Sequence, residues 1–180
     1  LSACGPNQRD CASPQVACAG LVTGFGGIET GINRQAWLAL QDAKSSGLLD
    51  LVDYIETADT RDRQANIAYF AGGDYDIIVT VGEGIADSTL AVASGNPGIL
   101  FVTVQPSHET TDTPENVVRL QYREENAGFL AGAAAAMLTR TERVAAICEA
   151  RFVDYVERYC EGFAAGAKSV DSAVHASVIY

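Results

Sequence analysis

Between Gln15 and Tyr180, short apolar runs alternate with longer stretches in which apolar residues recur every three or four positions. The runs read as buried strands and the longer stretches as helices, and their alternation predicts successive βα units on a parallel sheet. Strands are expected over residues 16–23, 51–56, 76–81, 98–104, 117–121, 144–148 and 174–180. Trp37, Leu40 and Lys44 mark a helical stripe after Asn33, and Ile67, Ala68 and Ala71 mark another that Gly72 and Gly73 end. A short helix is expected over residues 87–94, stopping at Gly95 before Pro97. Two later helices look amphipathic: 125–139, with Leu130, Ala133, Ala134 and Met137 along one face, and 152–169, with Val153, Val156, Cys160, Phe163 and Ala167. The fold class is therefore α/β, a doubly wound parallel sheet. Residues 106–114 are polar, rich in Thr and bracketed by prolines, which makes them the expected crossover between lobes. The domain reading is a polar tether over 1–15, an N-terminal α/β ligand-binding lobe over 16–118, and a hinge with the first part of a second α/β lobe over 119–180.

Composition narrows the class of protein. The chain has 180 residues, 48% hydrophobic and 19% charged, which suffices for one ordinary core or one and a half small ones. A formal net charge of -11 repels phosphate backbones and anionic headgroups, so nucleic acid is not an expected partner and neither is a charge-driven membrane surface. No apolar run approaches the roughly 20 residues needed to span a bilayer. The opening Leu1-Ser2-Ala3-Cys4-Gly5 looks like the tail of a bacterial lipoprotein signal, whose cleavage leaves Cys4 to carry lipid. With Cys4 set aside, Cys11, Cys18, Cys148 and Cys160 form an even set with three possible connectivities in an oxidising compartment. The pairs Cys11 with Cys18 and Cys148 with Cys160 close the shortest loops. Burial of Cys18 and Cys148 in strands as small hydrophobes is an equal alternative.

A parallel sheet binds ligands beyond the carboxyl ends of its strands, so the residues just after each strand carry the chemistry. These are residues 24–33, 57–60, 82–84 and 105–107. Gly24, Gly26 and Gly27 in the first loop, and Gly82 in the third, let backbone amides approach a polar ligand closely. Phe25 is placed to stack on a base or sugar, whereas Trp37, four residues into its helix, is expected in the core. Glu83 could accept hydrogen bonds from ligand hydroxyls. The first loop fails the dinucleotide fingerprint, because Glu29 stands where Gly or Ala is needed for close helix packing. A phosphate-cradling G-K-[ST] and a G-x-S-x-G elbow are both absent. His108 and His175 have no motif around them, and the adjacent Glu124 and Glu125 suit a helix N-terminus better than a catalytic pair. Neither a C-x-x-C zinc pattern nor a base and nucleophile constellation occurs, so no metal, no cofactor and no catalysis are expected.

Several ordered segments together resemble one family. They are 21–29 (LVTGFGGIE), 32–37 (INRQAW), 76–82 (DIIVTVG), 116–125 (NVVRLQYREE), 128–132 (GFLAG) and 161–166 (EGFAAG). The set is similar to the basic membrane lipoproteins, the PnrA-like substrate-binding lipoproteins of ABC transporters, and the likeness runs from Val16 to the C-terminus. The resemblance implies a type I periplasmic-binding-protein fold in which two α/β lobes close on a solute, most often a purine nucleoside. It further implies handover to an ABC permease and attachment to the cell membrane only through a lipid anchor, on the extracytoplasmic side. Complete members are longer, so the chain reads as a first lobe with the opening of a second. The implied ligand-binding set is Gly24, Phe25, Gly26, Gly27, Ile32, Asn33, Gly82, Glu83 and Gln105. Three of these depart from the family pattern: Gly24 stands for an acidic residue, Ile32 for a stacking aromatic, and Gln105 for an aspartate. Asn33 matches outright. A neutral Gln105 holds a ribose diol by weaker hydrogen bonds than a carboxylate would. The alternatives are a non-nucleoside, sugar-like solute, a ligand-sensing regulatory domain of the same fold, and an enzyme of the nucleotide-using α/β type.

Overall fold

The computed structural model describes residues 11–29, 31–82, 84–105 and 112–180. Its elements run in the order β1 (Cys18–Thr23), α1 (Gly31–Ser45), β2 (Leu51–Glu56), α2 (Arg63–Ala71), β3 (Ile77–Val81), α3 (Ala86–Ser94), β4 (Leu100–Val104), β5 (Val117–Leu120), α4 (Glu124–Leu138), β6 (Arg143–Ile147), α5 (Asp154–Val170) and β7 (His175–Ile179). The chain divides into two compact units, one running to Leu120 and the other Gln121–Tyr180.

The first unit is a five-stranded, all-parallel sheet in the order β2-β1-β3-β4-β5. Alternate residues of a strand point to opposite faces, and both faces here are apolar because helices cover both. Val22, Ile78 and Phe101 point to one face and pack with Ile67 and Phe70 of α2 and Val92 and Ala93 of α3. Leu21, Val79, Val81 and Val104 point to the other, where Ile32, Ala36, Trp37 and Leu40 of α1 close over them. Trp37 is thus part of the core, as the helical spacing predicts, and its ring lies 5.2 Å from that of Tyr54. The order 2-1-3-4-5 reverses direction between β1 and β3, which places the topological switch point there.

Strand starts differ slightly from the apolar runs, for local reasons. The Val16 amide closes a turn onto the Ser13 carbonyl, and the Ala17 amide is taken by the Asp50 carboxylate at 3.0 Å, so β1 begins only at Cys18. The Cys18 amide donates to Asp76 Oδ2 at 2.8 Å. Residues 112–114 precede β5, which pairs with β4, so the 106–114 stretch connects neighbours within one sheet and the change of unit comes later, at Gln121. Of that stretch, 106–111 lie outside the described residues.

The second unit packs α4 against α5 beside a two-stranded parallel sheet of β6 and β7. Here the expected face of α4 is corrected. Leu130 and Met137 are 69% and 75% exposed, and the buried positions are Gly128, Gly132 and Ala136. Gly128 and Gly132 face Gly162 and Gly166 of α5. A Cβ at any of the four would meet backbone carbonyl groups of the partner helix, those of Tyr159, Phe163, Glu125 and Phe129 respectively. The helices cross in backbone contact, which no apolar stripe reports. Arg158 of α5 adds a bond to Glu124 Oε2 at 2.8 Å.

Both short cysteine loops are closed as disulfides, Cys11 to Cys18 and Cys148 to Cys160. Cys18 and Cys148 are also buried in or beside strands, so the two alternatives left open by the sequence hold together.

Candidate functional site

The carboxyl edge of the five-stranded sheet is extended by one residue past the ends of β2, β3 and β4. The Thr57 amide donates to the Thr23 carbonyl at 2.9 Å, the Gly82 amide to Val104 at 3.3 Å, and the Gln105 amide to Leu120 at 2.9 Å. Thr57, Gly82 and Gln105, the first residues of three strand-end loops, are therefore fixed by a neighbouring strand. Gln105 is held at φ 52°, in the left-handed region that a residue with a Cβ enters at a cost. Such a conformation persists only where its surroundings enforce it, and it clusters at binding sites.

The loop after β1 turns through Gly26 (φ 88°) and Gly27 (φ 51°), conformations that demand glycine. Phe25 projects from this turn with 74% of its surface exposed, a large apolar ring in solvent at the ligand-binding end of a sheet. Its carbonyl is anchored by Asn33 Nδ2 at 3.1 Å, and Asn33, in the first turn of α1, is buried. The Glu56 carboxylate, at the end of β2, accepts the Gly26 amide at 3.1 Å. Glu56 Oε2 lies 3.0 Å from the place a Cβ on Gly27 would occupy, so the carboxylate covers both glycines. Gly24 sits against the end of β3, where a Cβ would come 3.9 Å from the Val81 carbonyl oxygen.

Across the switch point, Arg63 of α2 donates through Nη1 to the Gly84 carbonyl at 2.9 Å, tying α2 to the loop after β3. Asn66 Nδ2 donates to Thr57 Oγ1 at 3.1 Å, and Thr57 is buried. Beyond it, the Arg61 guanidinium and then the Arg61 amide hold the Asp59 carboxyl below the usual carboxylate range. The Thr23 hydroxyl, fully buried at the end of β1, meets no partner among the described residues.

The structure brings Gly24, Phe25, Gly26, Gly27, Asn33, Gly82 and Gln105 to this one edge. Ile32 is there too, but its side chain is half-buried against Leu21, Val79, Val81 and Val104, so it offers little of itself to a solute. Glu83, His108 and Cys4 lie outside the described residues. His175 is exposed on β7, with its Nδ1 3.2 Å from the Ser177 hydroxyl. Glu124 and Glu125 occupy the first turn of α4, as a helix start predicts. Among the described residues no group of three His, Cys, Asp or Glu could hold a metal ion, and no helix is long and apolar enough to cross a membrane. The sequence reading passed over Glu56 and Arg63. Glu56 closes a predicted strand, and that position next to a glycine loop is the signal that could have found it.

Comparison with known proteins identifies the family and the fold. The profile of a family described as ABC transporter substrate-binding protein PnrA-like matches residues 26–180. A CD4+ T-cell-stimulating antigen of Listeria monocytogenes is 27% identical over 190 residues, covering 100% of this chain and 52% of the relative. An ABC transporter nucleoside-binding protein, BmpA, of Lactococcus lactis is 28% identical over 166 residues, covering 90% of this chain and 46% of its own length. The chain thus spans about half the length of the curated relatives it matches. Among solved structures, a solute-binding protein of an ABC transporter system from Aeropyrum pernix superposes with a TM-score of 0.75 at 19% identity, over 91% of this chain and 47% of that one, and so shares the fold. With a doubly wound sheet, strand-end loops gathered at its switch point, and a family profile matched over most of its length, the chain belongs to the PnrA-like (Bmp) family of ABC transporter substrate-binding proteins.

Proposed function

We propose that this chain is the solute-recognising part of an extracytoplasmic receptor that delivers a small polar solute, a purine nucleoside, to an ABC permease. The ligand-binding lobe runs from residue 16 to Leu120, the end of β5, and Gln121–Tyr180 form the hinge and the beginning of a second. The observation that carries this reading is the arrangement at the carboxyl edge. Glycine turns, a solvent-facing Phe25, a buried Asn33 and a constrained Gln105 stand together where open α/β sheets bind ligands. Phe25 stacks on the flat face of the base. Asn33, with Nδ2 engaged by the Phe25 carbonyl, keeps Oδ1 as an acceptor for a solute donor, and Gln105 takes hydroxyls of the sugar. The nucleoside-binding relative from Lactococcus lactis supports the same solute class.

We read the role as binding rather than catalysis; among the described residues at this edge no nucleophile stands with an oriented base. Two disulfides suit an oxidising, extracytoplasmic compartment, and lipid on Cys4 would hold the receptor at the membrane. Isothermal calorimetry of the full-length protein with adenosine, guanosine and inosine, and with ribose as the sugar control, tests the proposal. Saturable heat with at least one nucleoside is expected. Heat with ribose alone would redirect the reading to sugar-like solutes, and none with any of the four at millimolar concentration would end it.

A further inference from the structure

We infer that Glu56 is a specificity-determining residue that excludes phosphate-bearing solutes from this site and admits uncharged ones. The inference rests on the proposed nucleoside site and adds to it the means of telling a nucleoside from its phosphate ester.

A turn of glycines at the carboxyl end of a strand is ordinarily an anion cradle, because its amides point outward with no side chain in the way. Here the cradle is already filled from within. The Gly26 amide donates to Glu56 Oε1 at 3.1 Å, and Oε2 lies over Gly27. The backbone donor that a phosphate oxygen would use is therefore taken by the protein's own carboxylate. The backbone at Glu56 is fixed, since its Cα is paired in register with Thr23 and the next residue, Thr57, is bonded to the Thr23 carbonyl, so the exposed carboxylate stays within reach of the loop. Among the described residues no Lys, Arg or His forms an ion pair with it. An arriving phosphate meets an occupied amide and an uncompensated negative charge together. A neutral solute meets no charge repulsion, and its hydroxyls can donate to the carboxylate.

The test compares adenosine with adenosine monophosphate by calorimetry on the full-length protein. The wild type, Glu56→Gln and Glu56→Ala are each titrated at low and high ionic strength. Gln keeps an acceptor for the Gly26 amide and removes only the charge. The expected result is a wild type that prefers adenosine, and a Glu56→Gln variant whose preference falls by at least about tenfold through tighter binding of the monophosphate. Monophosphate affinity should rise with salt more steeply in the wild type than in Glu56→Gln or Glu56→Ala, since the net charge of -11 repels the ester in all three and only the wild type adds the local carboxylate. A merely structural Glu56 would change both affinities together and leave their ratio and the salt trend alone, and that outcome overturns the inference. A wild type preferring the monophosphate overturns it at once. If adenosine does not bind, guanosine or inosine with its own monophosphate takes its place; binding of none of the three nucleosides removes the proposed function and this inference with it, whereas nucleoside binding with an unmoved ratio removes the inference alone.

Discussion

Replacing Gly132 by Ala sets two effects of opposite sign against each other. Alanine is the better helix former by about 1 kcal/mol, which favours the substitution in the interior of α4. The added methyl, however, would lie 2.7 Å from the Phe163 carbonyl carbon, with its oxygen nearer still, where ordinary contact begins at 3.4 Å. The helices would have to part by at least 3.4 − 2.7 = 0.7 Å. A gap of that size forfeits roughly a quarter to a half of each van der Waals contact across it, and forced overpacking costs about 1–3 kcal/mol. Because the carbonyl oxygen demands a wider parting than the carbon, the clash falls in the upper part of that range and wins, for a net loss of about 1–2 kcal/mol. Urea unfolding followed by circular dichroism should show a lower midpoint for Gly132→Ala. The control is Ala134→Gly on the exposed side of the same helix, where only propensity acts and about 1 kcal/mol should be lost. A Gly132→Ala protein as stable as wild type, or more so, would refute the claim that α4 and α5 touch through their backbones.

Other outcomes follow from the same structure. Cys148→Ser should destabilise by about 3 kcal/mol on the chain-entropy estimate for the loop between Cys148 and Cys160, and a reducing agent should reproduce the effect in the wild type; a melt indifferent to both would count against that bridge. Asn33→Ala strands the Phe25 carbonyl and should cost about 1–3 kcal/mol of stability, with nucleoside affinity falling as well; unchanged calorimetry would show that Asn33 does not order the loop. The Glu125 carboxyl is held below its ordinary value, first by its own backbone amide and then, against slight desolvation, by Arg123, and Asp59 is lowered by Arg61. Groups lowered in this way add stability above the ordinary carboxyl range and lose it as pH falls through their folded values. Arg61→Met should therefore lower the melting temperature slightly near neutral pH and not at all in strong acid, and a deficit that grew toward acid would contradict the assignment.

How far these features were legible depends on the kind of force behind them. The sheet is written in runs of β-branched residues, as in Ile77 to Val81, and Leu51–Glu56 begins and ends where its pattern says. Buried parallel strands need apolar side chains on both faces, so their signal is strong. Ends were less clear because side chains decide them, as Asp50 does by taking the Ala17 amide. The face of α4 was misread for a related reason. Periodicity counts large apolar residues, and this helix buries the places where side chains are missing. At the site, the glycine loop and Asn33 were visible as local motifs. Glu56 and Arg63 were not, because each acts across a gap of more than 20 positions, on Gly26 and Gly84, and only the strand order brings them near. Ile32 occupies the expected place along the chain yet turns into the core, a matter of side-chain direction that spacing does not report.

The most direct test of the account is a crystal structure of the full-length protein grown with a purine nucleoside. The base should stack against Phe25, with the sugar or base polar atoms within hydrogen-bond distance of Asn33 and Gln105. A nucleoside bound elsewhere, or a carboxyl edge filled by the protein's own side chains with no solute upon it, would contradict the claim that this edge is where the receptor holds its cargo.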